Sequence, residues 1–158
     1  MEKNNTSPTH LLRRLQRICS RSEKCPSDIR RKLAEWGVPT HEADGFLTHL
    51  QAQGFVDVAR YARAFVRDKH RLEHWGARKI KAALQAKKIP EDTITEALRE
   101  IDNTQSLHTL IRLLQRKNAT LRTTSDIELK IKLWQFALRK GYDAKDIGAA
   151  MHAVMPKR

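Results

Sequence analysis

An internal period of about fifty residues constrains this chain more than any other feature, because a fold built from repeats must repeat its core as well. When Val38, Ile89 and Tyr142, 51 and 53 residues apart, are superposed, the apolar positions around them fall into register. Nine positions earlier stand Ile29, Ile80 and Leu133, five earlier stand Leu33, Leu84 and Ala137, and directly before stand Gly37, Lys88 and Gly141. Eight, nine and twelve positions later come Phe46, Leu47 and Leu50, then Ala97, Leu98 and Ile101, then Ala150, Met151 and Val154.

Spacings of four, and of one and four, place each set on one face of a helix, so each unit predicts a helix, a turn and a helix. The turns agree: Gly37 and Gly141 suit a helix C′ position with φ above zero, and Pro39 and Pro90 suit the first turn of the next helix. An apolar segment precedes each pair and supplies a third helix: Leu11, Leu12, Leu15, Ile18 and Cys19, then Tyr61, Ala62, Phe65 and Val66, then Leu107, Leu110, Ile111 and Leu114. Ser7-Pro8, Asp57 and Asp143 read as helix starts, and Ser125 with Glu128 reads as a capping box. The expected fold is all-α: three tandem three-helix repeats over residues 1–54, 55–103 and 104–158, in an elongated, curved array with one long binding surface.

Lys and Arg number 31 against 18 Asp and Glu, a formal charge of +13, and residues 105–158 carry 11 of the basic side chains against 4 acidic ones. Such an excess points to a polyanion or an acidic protein surface as partner, although a basic surface also serves solubility. Two cysteines, Cys19 and Cys25, cannot make a disulfide framework or a zinc site by themselves, and they read as packing residues. Together with a polar start, Met1 to Pro8, and no run of apolar residues long enough to span a bilayer, they lead us to expect a cytoplasmic protein with no membrane contact; a monomer is the expected state, although no residue pattern decides it.

The one catalytic-looking string, His70-Arg71-Leu72-Glu73-His74, matches a pattern that sets two imidazoles for zinc with a carboxylate as base. No further ligand is evident, and a solvated helix end rich in Lys, Arg and His is the plainer account. No glycine-rich phosphate loop or nucleophile elbow is present in the sequence, so no enzyme activity, metal or cofactor is expected. Trp36, Trp75 and Trp134 lie in or beside the second helix of each unit, where packing is favoured over base stacking. For Trp134 the shared stripe with Ile127, Ile131 and Leu138 supports packing.

Basic residues are the better functional candidates because several recur in register: Lys79 with Lys132, Arg30 with Lys81, and Lys87 with Lys140. The expected partner or DNA-binding set is Arg13, Arg14, Arg17, Arg30, Arg78, Lys79, Lys81, Lys87, Lys88, Lys130, Lys132, Arg139 and Lys140. A solvated charged face would also be basic, but it would not need the same sign in register.

These residues resemble the RecX family of recombination regulators from about Leu11 to Val154. The segment Ser27-Asp28-Ile29-Arg30-Arg31-Lys32-Leu33 with Gly37 is similar to the family's first unit, with Ile29 replacing the usual leucine. Gly54-Phe55-Val56-Asp57, Tyr61-Ala62, Gly76 to Ile80, Leu84 and Ile89 resemble its middle unit. Val58 stands where the family usually has a second aspartate, and Lys88 where a glycine precedes the isoleucine, which leaves the geometry of that turn open. The resemblance implies a non-enzymatic, cofactor-free protein that binds the RecA-type recombinase filament on single-stranded DNA, with weak or indirect contact to the DNA itself, and limits filament growth, ATP turnover and strand exchange. Its rivals are a freestanding helical DNA-binding protein, which would hold naked DNA with a steep salt dependence, and a zinc hydrolase, which would carry stoichiometric metal.

Overall fold

The computed structural model describes residues 7–155; residues 1–6 and 156–158, which include most of the polar start, lie outside it. Among the described residues there are nine α-helices and no strand. They are α1 (Pro8–Arg21), α2 (Pro26–Glu35), α3 (Thr40–Ala52), α4 (Val58–Leu72), α5 (Ala77–Ala86), α6 (Glu91–Leu98), α7 (Asn103–Thr120), α8 (Asp126–Lys140) and α9 (Ala144–Val154).

The starts follow from local chemistry. Side chains of Ser7, Asp57, Ser125 and Asp143 accept from the backbone N–H three residues on, at 3.3, 2.9, 3.3 and 2.8 Å, satisfying donors that the helix itself leaves orphaned. Two details differ from expectation. Pro39 and Pro90 sit just before α3 and α6 as N-caps with φ −58°, rather than in the first turn. The Ser125 box is half built, because the Glu128 carboxylate turns to Lys132 and to the Thr123 hydroxyl, and Thr123 Oγ1 accepts from the Ser125 N–H instead.

The three repeat turns close in one way. Val38, Ile89 and Tyr142 donate their N–H to the carbonyls of Leu33, Leu84 and Ala137, five residues back, at 2.9, 3.2 and 3.3 Å. The residue before each donor is left-handed: Gly37 at φ 77°, Lys88 at 60° and Gly141 at 95°. This is the Schellman closure, and Lys88 keeps it without a glycine. Register wins over the local preference of the residue.

Three hydrophobic clusters follow one another along the chain. Leu15, Ile29, Leu33, Ala43, Leu47, Leu50 and Val56 form the first. Tyr61, Ala62, Val66, Ile80, Leu84, Ile89, Ile94 and Ala97 form the second, which Cys25 enters from the start of α2. Leu110, Leu114, Leu133, Ala137, Tyr142, Ile147 and Ala150 form the third. Full burial of a Leu or Ile is worth about 1.5–3 kcal/mol relative to exposure, so each small cluster is a source of stability of its own. The most extensive helix–helix packing lies within α2–α3, α4–α6 and α7–α9, and the whole is a tandem helical repeat array.

Candidate functional site

Four of the six in-register basic residues, Arg30, Lys81, Lys87 and Lys140, are engaged in holding the array together. Arg30 on α2 pairs with Asp44 on α3, and Lys81 on α5 pairs with Glu91 on α6 at 2.9 Å, so the same charge at one register position makes the same middle-to-third-helix bridge. Lys87 reaches back to Asp28 at 2.8 Å, and Lys140 donates to the carbonyl of Glu73 at 3.2 Å, so each ties its unit to the one before. Burial alone would raise the Asp28 carboxyl, but the hydrogen bonds from Lys87 and Cys25 outweigh it and hold the group below its ordinary range. Lys79 lies 4.2 Å from the Trp75 ring centre, Lys132 pairs with Glu128 at 2.6 Å, and the Arg14 guanidinium covers Trp36 at 3.9 Å. Among the described residues, the side chains of Arg13, Arg17, Arg78, Lys88, Lys130 and Arg139 are exposed and carry no ion pair or hydrogen bond.

The second and third units also meet through bare backbone. Gly76 N–H donates to the Lys140 carbonyl at 2.7 Å and Arg78 N–H to the Gly141 carbonyl at 3.0 Å. A Cβ on Gly76 would stand 2.5 Å from the Gly141 carbonyl, and one on Gly141 would stand 2.3 Å from Lys79 Cβ. The Tyr142 hydroxyl completes the joint by donating to the His74 carbonyl at 3.0 Å. Burial, with the nearby Asp146 charge, pushes this phenol up to about 12.

The His70–His74 string does not form a metal face. α4 ends at Leu72, Glu73 pairs with Lys69, and His74 turns left-handed at φ 57°, so the spacing of a continuous helix is lost. His70 Nδ1 lies 3.0 Å from the Trp75 carbonyl, which can only accept, so Nδ1 carries the hydrogen. Among the described residues no three His, Cys, Asp or Glu side chains gather as metal ligands would. Cys19 and Cys25 are free thiols, Cys25 is buried, and burial pushes the Cys19 thiol up.

Two features were misread or missed in the sequence. Trp134 does pack against the third cluster, but its stripe-mates do not: Ile127, Ile131 and Leu138 are 73, 52 and 45% exposed. α8 buries Leu133 and Ala137 on one side and presents the stripe to solvent on another. The second feature is a cleft of about 430 Å³ between the end of α4 and one face of α7, lined by His70, Arg71, His74, Arg112 and Arg116 with Glu100 and Asp102. The four-residue spacing of Arg112 and Arg116 was visible in the sequence; the approach of Arg71 from another unit was not.

Comparison with known proteins agrees with this architecture. Residues 59–98 match the family model described as "RecX, second three-helix domain", and residues 104–151 match "RecX, third three-helix domain". A "Regulatory protein RecX" of Clostridium botulinum is 35% identical over 124 residues, covering 77% of this chain and 58% of that protein. One from Clostridium perfringens is 30% identical over 129 residues, covering 80% of this chain and 60% of that protein, so the chain spans about three-fifths of the length of these relatives. The crystal structure of RecX from Lactobacillus salivarius superposes with a TM-score of 0.80 at 16% identity, covering 92% of this chain and 95% of that one, a likeness of fold. No helix among the described residues is long and apolar enough to cross a membrane. With two of its three-helix segments matched to that family's own models, the chain belongs to the RecX family.

Proposed function

We propose that this protein is a non-enzymatic regulator that binds the RecA-type recombinase filament on single-stranded DNA and limits filament growth, ATP turnover and strand exchange. It works as a monomer in the cytoplasm, without cofactor, through three units at residues 1–54, 55–103 and 104–158. The observation that carries a protein-bearing partner over naked DNA is the α8 stripe. Phosphates offer nothing to Ile127, Ile131 and Leu138, whereas an apolar patch on a protein surface gains free energy by covering them. Lys130 and Arg139, exposed on the same helix, and Arg13, Arg17, Arg78 and Lys88 elsewhere then meet acidic groups or phosphates at the rim. The charge of +13 is what favours the second reading, a freestanding DNA binder.

Fluorescence anisotropy of the labelled protein on single-stranded DNA, with and without recombinase and ATP across a salt series, separates the two. Binding that is tight only with recombinase and survives moderate salt is the expected result. Equally tight binding to bare DNA that collapses with salt overturns the filament reading in favour of the freestanding one.

A further inference from the structure

We propose that the cleft between α4 and α7 is a binding site for the sugar-phosphate backbone of a single nucleic-acid strand, with Arg71, Arg112 and Arg116 holding successive phosphates. Among the described residues these three guanidinium groups make no ion pair and no hydrogen bond, and, unlike the unpaired basic side chains scattered elsewhere on the surface, they line one cleft together. Three unpaired like charges around one cleft repel one another and are relieved by an anion. The acidic residues of the cleft do not pair with these arginines: Asp102 caps α7 by accepting from the Gln105 N–H at 2.8 Å through one oxygen, and Glu100 faces Arg67 outside the cleft at 4.0 Å through one oxygen, which leaves each a second oxygen for a donor.

The geometry favours a strand over a duplex or an acidic peptide. A space of about 430 Å³ between two helices takes one or two nucleotides, whereas a duplex needs an open groove-scale surface. Arg112 and Arg116, one turn apart on α7, stand about 6 Å apart along its axis and offer planar forks that bind phosphate oxygens bidentately. Glu100 and Asp102 repel peptide carboxylates and phosphates alike, so the bases are what separate a strand from an acidic peptide. Nucleotides bring exocyclic amino groups that the Glu100 and Asp102 carboxylates accept from. Thr109 and Gln105 on the same wall add neutral partners, and His70 keeps Nε2 for the ligand because Nδ1 is bonded to Trp75.

The proposal rests on the filament reading only in taking the strand to be single-stranded DNA, so its test omits the recombinase. The whole chain is titrated against a fluorescein-labelled deoxycytidine oligonucleotide, whose bases carry the exocyclic amino group, at low salt and through a salt series. The comparison uses a triple Arg71→Ala, Arg112→Ala, Arg116→Ala variant and a charge-matched control, Arg63→Ala, Arg122→Ala, Lys145→Ala, at exposed positions outside the cleft. Wild-type protein binds, and the cleft variant loses at least ten-fold in affinity while the slope of log K against log salt becomes shallower by about 2, three phosphates at about 0.7 each. The control retains most of the affinity. No wild-type binding, equal losses in both variants, or a poly-glutamate peptide that protects the cleft while the strand still binds would each overturn the assignment. A parallel measurement on recombinase filaments keeps the two ideas apart: filament binding that survives with oligonucleotide binding unaffected by the cleft variant sinks the cleft and leaves the filament reading standing.

Discussion

Lys88 carries a left-handed backbone in a place where its two counterparts are glycines, and an L side chain there costs about 1–2 kcal/mol of strain. Lys88→Gly relieves it at some cost in unfolded-chain entropy, for a net gain of about 0.5–1 kcal/mol. A urea midpoint that rises with an unchanged slope is the expected reading; a midpoint that falls would mean that the lysine side chain contributes more than its backbone loses. At this scale much could be read from the chain in advance. Ser7, Asp57 and Asp143 cap because a short side-chain oxygen next to a helix start has little else to do, and Lys88 was visible as the one odd turn. The partners of Lys87 and Lys140 were not legible. Asp28 lies 59 residues from Lys87, and the Glu73 carbonyl 67 from Lys140, so only the finished docking of the units makes these pairs.

α8 shows why periodicity can identify an element yet mistake its buried side. Ile127, Ile131, Trp134 and Leu138 repeat at four, three and four residues, as a core seam does, and so do Leu129, Leu133 and Phe136 around Ala137. Burial goes to the second set because α7 and α9 cover that side, which no pattern within α8 encodes. Replacing Ile127 and Ile131 by serine should therefore change folding stability by less than about 0.5 kcal/mol each, where Leu133→Ala costs about 2–5 kcal/mol. In the same serine variant, affinity for the recombinase filament should drop ten-fold or more by anisotropy. Retained affinity would remove α8 from the contact surface.

The units are joined by unlike contacts: between the first and second the ion pairs of Lys87 with Asp28 and of Arg60 with Glu23, and between the second and third a backbone crossing at Gly76 and Gly141 flanked by the Lys140 and Tyr142 hydrogen bonds. Tandem repetition was legible because the cores recur in register; the joints were not, since a glycine in a sequence does not say which other backbone it touches. The same-sign charges that looked like one shared binding face turn out to include the stitches of the array, Lys87 and Lys140, together with the Arg30 and Lys81 braces inside units. Gly76→Ala forces a methyl group onto the Gly141 main chain and should cost about 2 kcal/mol by urea unfolding. By anisotropy on recombinase filaments, Gly76→Ala should weaken binding more than a Lys87→Met substitution, which breaks the Asp28 ion pair, because the former shifts the whole third unit.

A contact of main chain against main chain has no adjustable parts. Where side chains meet, a loss on one surface can be made good by a gain on the other, and lineages drift through such exchanges. At Gly76 the obstacle to any added atom is the main chain of Gly141 and Tyr142, and no replacement at either residue makes it smaller. The angle between the last two units is thus withdrawn from gradual tuning: the ruler with which the protein measures its partner has one of its divisions ruled in peptide, and variation is left to the lengths of helix on either side.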